Sequence, residues 1–127
     1  MRKLCNLRTD YLEKEFGKLY SNEIIITEER ECHIKNRHPQ DYEIFVQYGV
    51  DILLNPDFVI KDTLNIGTIF FVKKLEGTSL NVVVRLVLSS DHPDYKNSVM
   101  TAYRLRDKNL EKLIKKHNNN ILYKKEY

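Results

Sequence analysis

Apolar positions recur along most of the chain with the two spacings that are typical of regular structure. In the segment 41–53 they recur every three or four residues, which predicts a helix with one core-facing side. These positions are Tyr42, Phe45, Val46, Gly49, Ile52 and Leu53. The segment 80–88 is almost continuously apolar, which is typical of a strand in the centre of a sheet.

Shorter patterns predict the remaining elements. Further helices are expected over 8–16, 27–38 and from 107 onwards, with Thr27, Asp41 and Asp107 as N-caps and with Gly17 and Pro39 as terminators. Strands are expected over 18–20, 23–27, 58–60, 66–75, 80–88 and 98–106, the first two as a hairpin around Ser21-Asn22.

This order of elements predicts an α+β fold. N-terminal helices would pack on a four-stranded antiparallel β-sheet meander, and a short C-terminal helix would follow. The 127 residues suit a single domain, 1–127, in which residues 1–16 are an N-terminal extension or helix.

The helix predicted over 27–38 has a polar face where a packing face is expected. Arg30, His33, Ile34 and Arg37 lie at positions i, i+3, i+4 and i+7, and only one of them is apolar. Either this helix is loosely attached, or its inner face lines a polar site.

Charge and composition limit the function classes only loosely. The chain has 21 Lys and Arg against 18 Asp and Glu, and residues 104–127 hold eight of these bases and three of the acids. A basic segment of this kind suits a polyanion or is a solvated helix face. Cys5 and Cys32 show no ligand spacing, and we find neither a membrane span nor a signal sequence. We therefore expect a reduced, cytoplasmic protein with no membrane partner.

Histidine and arginine on the polar helix are candidates for acid–base chemistry on a phosphate. A histidine titrates near neutral pH, and an arginine can hold a phosphate through two hydrogen bonds. The alternative is that His33 is an ordinary surface residue and that His38 is a cation favoured at the helix C-terminus.

The last long strand and the central strand carry further candidates. Side chains alternate along a strand, so Thr101 and Tyr103 are expected on one side, together with Val99 and Leu105. Two hydroxyls there can bind a phosphate oxygen, although Thr and Tyr are also ordinary strand formers. Arg85 interrupts an apolar strand and needs either a bound anion or a paired carboxylate.

The sequence does not favour a metal or a cofactor. His33, His38 and His92 could form a metal site, but the first two are five residues apart, which places them on different faces of a helix. There is also no HExxH motif, Gly-rich phosphate loop, GxSxG elbow or CxxC pair. We expect no metal and no cofactor.

Three short segments together resemble a nuclease family. These are Ile26-Thr-Glu-Glu-Arg-Glu-Cys-His-Ile-Lys-Asn-Arg-His-Pro39, Leu54-Asn-Pro-Asp57 and Asn97-Ser-Val-Met-Thr-Ala-Tyr103. In their order they are similar to the phage-associated branch of the barnase–EndoU–colicin–RelE-like nucleases. The resemblance runs from about Gly17 to Tyr123, and it implies helices packed on a four-stranded antiparallel sheet.

The resemblance also implies an activity and roles for the candidate residues. It implies a metal-independent endoribonuclease, with RNA as substrate (tRNA is one candidate), a toxin or phage-related role, and an immunity or antitoxin protein as partner. His33, Thr101 and Tyr103 would be catalytic, and His38 is the candidate for a second acid or base. The phosphate would be bound by Arg30, Arg37, Arg85 and Ser98.

Two other hypotheses remain open. The chain is a catalytically inactive nucleic-acid-binding module on the same fold, or it is a protein-interaction domain that regulates a toxin. The first shares a basic cleft with the nuclease but needs no reactive histidine. The second predicts an exposed apolar patch and no convergent polar cleft.

Overall fold

The structure is a computed structural model that describes residues 1–88, 91–92 and 95–125. The last two residues of the basic C-terminal segment lie outside this range. The strands are β1 (Arg2–Asn6), β2 (Glu23–Ile26), β3 (Phe58–Lys61), β4 (Thr68–Leu75), β5 (Thr78–Arg85), β6 (Asn97–Leu105) and β7 (Ile121–Lys124). The helices are α1 (Asp10–Phe16), α2 (Glu28–Arg37), α3 (Pro39–Leu54) and α4 (Asp107–Lys116), and a 3₁₀ turn spans Asn118–Asn120.

The strands form one mostly antiparallel sheet in the order β1-β2-β6-β5-β4-β3-β7. The predicted meander occupies its centre as β3 to β6, and β5 is the middle strand, as its apolarity predicted. The prediction of four strands is wrong, because β1, β2 and β7 bring the sheet to seven strands within the described residues. β1 and β7 are short and lie at the sheet edges, where a strand needs little apolar pattern.

The predicted hairpin around Ser21-Asn22 is also wrong. β2 pairs with β1 instead, and residues 18–20 connect α1 to β2. Leu19 in this connection is buried, and its backbone N–H donates to Glu13 Oε2 over 3.1 Å. Its apolarity therefore reflects burial in a loop.

The predicted helix boundaries agree with the structure more closely than the predicted N-cap residues do. Thr27 caps α2, since its Oγ1 accepts a hydrogen bond from the backbone N–H of Arg30 over 3.2 Å. Asp41 does not cap α3, which begins earlier because Pro39 provides a preformed first helical residue. Asp107 lies in the first turn of α4, and Arg106 occupies the cap position.

The two faces of the sheet are covered by different helices. On one side, which we call the α3 face, Phe45, Ile52 and Leu53 of α3 pack into the main core. On the other, the α4 face, Leu110 of α4 packs into a smaller apolar cluster with Leu105 of β6. β5 divides its side chains between them: Leu80, Val82 and Val84 belong to the α3-face core, and by alternation Asn81, Val83 and Arg85 point to the α4 face.

A bulge in β6 changes which of its residues share a face. Val84 pairs with Val99 but Val83 pairs with Thr101, so Met100 is an extra residue. Val99 therefore joins the core of the α3 face. The prediction that Val99 shares a side with Thr101 is wrong, because alternation holds only where pairing is regular.

None of the helices in the described ranges is both long enough and apolar enough to cross a membrane.

Candidate active site

Between Asn81 and Arg85, five polar or hydroxyl-bearing side chains share the α4 face of the two central strands. β6 contributes Ser98, Thr101 and Tyr103, and β5 contributes Asn81 and Arg85. The bulge is what brings Ser98 to this face, because it shifts the alternation between Ser98 and Thr101. We call this set the β5–β6 strip. Asn81 and Arg85 are four residues apart on one strand, so the strip is about 13 Å long.

Tyr103 at one end of the strip is held from two sides. Asn81 is fully buried, and its Nδ2 donates to Tyr103 Oη over 3.1 Å. The Tyr103 ring packs against the apolar cluster that contains Leu105, which confirms that these two residues share a side. On its other side, the His38 ring lies 6.2 Å from the Tyr103 ring, centroid to centroid. The structure therefore brings together an imidazole and a phenol.

His38 occupies the junction between α2 and α3, with 40% of its side chain exposed. Its Nδ1 lies 3.9 Å from Asp41 Oδ2, within reach of an ion pair when the imidazole is protonated. Asp41 is buried, and Arg104 of β6 donates to its carboxylate through both its side-chain Nε and its backbone N–H. A carboxylate that is paired with an arginine thus lies beside a solvent-accessible histidine.

The edge of β6 is available to α2 because β2 leaves the sheet early. β2 pairs with β6 at Asn97 and Ser98, and α2 begins two residues after β2 ends. α2 then packs beside β6, with Ile34 buried in the core of the α3 face. The polar face predicted for this helix is therefore anchored by its single apolar residue.

His33 points away from α3. On the opposite flank of α2, Glu31 binds Arg2 over 2.9 Å and accepts a hydrogen bond from Tyr42 of α3 over 3.3 Å. Burial raises the pKa of the Tyr42 hydroxyl, and the Glu31 charge raises it further. His33 follows Glu31 by two residues, or about 200° around the helix.

Arg30 and Arg37 lie on the same flank as His33, one turn before and one turn after it. His33 and Arg30 are half-buried, whereas Arg37 is exposed. Within the described ranges, no hydrogen bond or ion pair engages the side chains of these three residues. Among the described residues, two guanidinium groups without a hydrogen-bond or ion-pair partner therefore lie on either side of an imidazole that also has none.

Arg85 at the far end of the strip is already paired. Its Nη1 donates to the Leu86 carbonyl, and its Nη2 lies 3.5 Å from Asp91. Of the two explanations for a charge in this strand, the structure shows the paired carboxylate. Ser98 lies beside it in the pairing register, and about 13 Å of strand separates both from Tyr103.

Gly67 makes room for this arrangement of Arg85. Its φ is +92°, and a Cβ built there would lie 1.9 Å from Arg85 Nη1. We expect Gly67→Ala to destabilise the fold by about 1–3 kcal/mol, because it combines a strained φ with displacement of the guanidinium. Urea denaturation measures this. Adding Arg85→Ala should recover the part that is due to the displacement, and a fully additive double variant would contradict the contact.

Sequence reasoning missed Asn81, although a signal was present. It is a polar residue in an apolar strand, and it lies four residues before Arg85, so the two side chains point to the same face of the strand.

Asn97, in contrast, belongs to a segment that pointed to function, yet its side chain is structural. It accepts a hydrogen bond from the Val87 N–H and donates to the carbonyls of Ser21 and Glu23. It ties the start of β6 to β2.

No group of three or more His, Cys, Asp or Glu residues in the described ranges is arranged to hold a metal ion.

Comparison with protein families gave a match, whereas two other comparisons did not. Searches of the curated proteins and of the solved structures returned no match. A family model described as phage-Barnase-EndoU-ColicinE5/D-RelE like nuclease3 matches residues 2–112, which is most of the chain. These residues include α2, the junction at His38 and the whole β5–β6 strip. The chain belongs to this phage-associated nuclease family.

Proposed function

We propose that the chain is a metal-independent endoribonuclease that cleaves RNA by attack of a 2′-hydroxyl on the adjacent phosphate. The observation that carries this proposal is the contact between His38 and Tyr103 at the end of the β5–β6 strip. This contact places an accessible imidazole, a group suited to acid–base chemistry on a phosphodiester, beside a positioned phenol, and Thr101 lies two residues before that phenol on the same strand. Membership of a nuclease family supports a nucleic-acid substrate.

The reaction needs a base, an acid and a cation. The base removes the 2′-hydroxyl proton as the 2′-oxygen bonds to phosphorus, and the bond from phosphorus to the 5′-oxygen breaks. The acid gives a proton to that leaving oxygen, which yields a 2′,3′-cyclic phosphate and a free 5′-hydroxyl. A cation stabilises the charge that develops on the phosphoryl oxygens.

We assign the base and acid to His33 and His38, which both belong to the segment that runs beside β6. Their positions differ by about 7.5 Å along the helix axis and by about 140° around it, so the phosphodiester would have to reach both sides of the C-terminal end of α2. Arg30 and Arg37 flank His33 and are assigned to the phosphoryl oxygens. Thr101 and Tyr103 orient the substrate from the sheet. At the far end of the strip, Ser98 and Arg85, which is also paired with Asp91, contact the RNA further along its backbone.

The Tyr103 hydroxyl gives a first test of this site. Tyr103→Phe removes one oriented hydroxyl and keeps the ring, so we expect about a tenfold fall in the rate of RNA cleavage, the equivalent of one hydrogen bond. Tyr48→Phe, on the exposed side of α3, is the matched control and should cleave at the wild-type rate. Equal rates for the two variants would remove Tyr103 from the site, provided that both melt at the same temperature.

The interaction-domain hypothesis keeps one observation in its favour. Val46, Val50 and Leu54 recur every four residues on α3 and are 58%, 40% and 39% exposed. An exposed apolar stripe of this kind suits a protein partner, such as an immunity or antitoxin protein. The stripe lies on a different element from the β5–β6 strip, so a nuclease with a protein partner can use both.

A further inference from the structure

A second polar cleft lies beyond the end of β6, where the chain turns into α4. It has a volume of about 380 Å³ and is lined by Asp41, Gly77, Thr78, Arg104, Arg106 and Asn109. Gly77 adds no side chain to the lining, and a Cβ built there would meet no atom within 4 Å. The cleft therefore presents two guanidinium groups, an amide and a hydroxyl around open space.

Of the two arginines that line this cleft, one has an ion-pair partner among the described residues and the other has none. Arg104 is occupied by Asp41 and by Gln40, whose Oε1 accepts a hydrogen bond from it over 2.9 Å. The Thr78 hydroxyl donates to the Leu105 carbonyl over 3.2 Å. Arg106 is exposed, and in the part of the chain that the structure describes its side chain makes no ion pair. Because Arg104 balances Asp41, the net charge of the lining residues is that of Arg106.

The cleft adjoins the candidate active site through Asp41. One carboxylate oxygen of Asp41 faces His38 Nδ1 at 3.9 Å, and the same carboxylate is part of the cleft wall. Arg104 directly follows Tyr103 in β6, so the two side chains point to opposite faces of the sheet. A strand of RNA whose reacting phosphate lies at His38 and Tyr103 would therefore reach the cleft around the edge of β6, past Asp41.

We propose that this cleft binds a phosphate of the RNA strand that neighbours the one cleaved, with Arg106 as its anchor and Asn109 as a second donor. A guanidinium and an amide both donate hydrogen bonds that phosphate oxygens accept. This inference rests on the proposed function, because it takes RNA as the ligand. It adds a contact outside the reacting groups and gives Arg104 the role of neutralising Asp41 at the boundary between the two sites.

The test is binding of a single-stranded 2′-O-methyl RNA of mixed sequence, which cannot be cleaved because its 2′-oxygens are blocked. Arg106→Gln is compared with Lys115→Gln, which removes the same charge from the exposed last turn of α4. We expect Arg106→Gln to raise Kd about three- to tenfold at low salt and to reduce the slope of log Kd against log salt by about 0.7, the value for one phosphate contact on a single strand. Lys115→Gln should change neither, and a thermal melt of each variant checks that it is folded.

Binding and cleavage separate this inference from the proposed function. If Arg106→Gln weakens binding as expected while the wild type cleaves no RNA, the cleft stands and the catalytic proposal fails. If the wild type cleaves RNA but Arg106→Gln binds the probe as Lys115→Gln does, the cleft proposal is overturned and catalysis is untouched. Failure of the wild type to bind the probe also overturns it.

Discussion

Replacing His38 with alanine should lower the rate of RNA cleavage by at least about 10²-fold, the usual contribution of a positioned acid or base. His38 is the histidine that lies against Tyr103 and faces the Asp41 carboxylate. Folding should be retained, because the side chain is partly exposed and makes no capping hydrogen bond to α3. Single-turnover cleavage of a labelled RNA by wild type and variant measures the effect.

A histidine outside the site provides the control for this variant. His92 is exposed in the loop after β5, and His92→Ala should cleave RNA at the wild-type rate. A thermal melt of each variant separates a lost reactive group from a lost fold. Wild-type cleavage by His38→Ala would show that its contact with Tyr103 is incidental.

His33→Ala should also reduce cleavage by at least about 10²-fold if His33 is the partner acid or base. Its imidazole is half-buried on the flank of α2 that points away from α3, between two arginines that can hold the phosphate. Asn36→Ala, on the exposed side of the same helix, is the control. A fall in melting temperature that accounts for the lost activity would instead mark His33 as structural.

The pH dependence distinguishes the two histidine roles. When one group acts as base and another as acid, the rate follows a bell-shaped curve against pH, with the acidic limb set by the base. The variant that has lost the base should therefore lose the acidic limb, and the other variant should lose the basic limb. Two variants that both keep the full bell would assign neither role to these histidines.

Long periodic segments were predicted correctly because their apolar pattern and their burial have the same cause. α3 and the central strand β5 are examples, since each buries one or both sides against the core. β1 and β7 were not predicted because an edge strand is held mainly by backbone hydrogen bonds, which leave little trace in side-chain pattern. Leu19 contributed to the wrong prediction of a strand over 18–20, because it is an apolar residue that is buried in a connection.

The sequence pointed to most residues of the candidate site but not to their arrangement. It pointed to His38 and Tyr103, whose rings lie 6.2 Å apart in the structure, and to Thr101 in the middle of the same strand. The extra residue at Met100 depends on how β5 and β6 pair, which side-chain pattern does not reveal. Strict alternation therefore assigned Val99, and not Ser98, to the face that carries Thr101. Ion pairs across the fold are similarly hidden: Asp41 was expected to cap a helix, yet it binds Arg104, which is 63 residues further along the chain.

The most direct test of the proposed function is incubation of the purified protein with bulk tRNA and rRNA in EDTA, beside His33→Ala and His38→Ala, with the product ends analysed by mass spectrometry. We expect cleavage by the wild type, strongly reduced in both variants, and fragments that end in 2′,3′-cyclic phosphates. Cleavage that needs added Mg²⁺, or fragments with 5′-phosphate ends, would contradict the proposed chemistry. No cleavage with or without Mg²⁺ would contradict a ribonuclease acting on these RNAs and would favour the binding or interaction hypotheses.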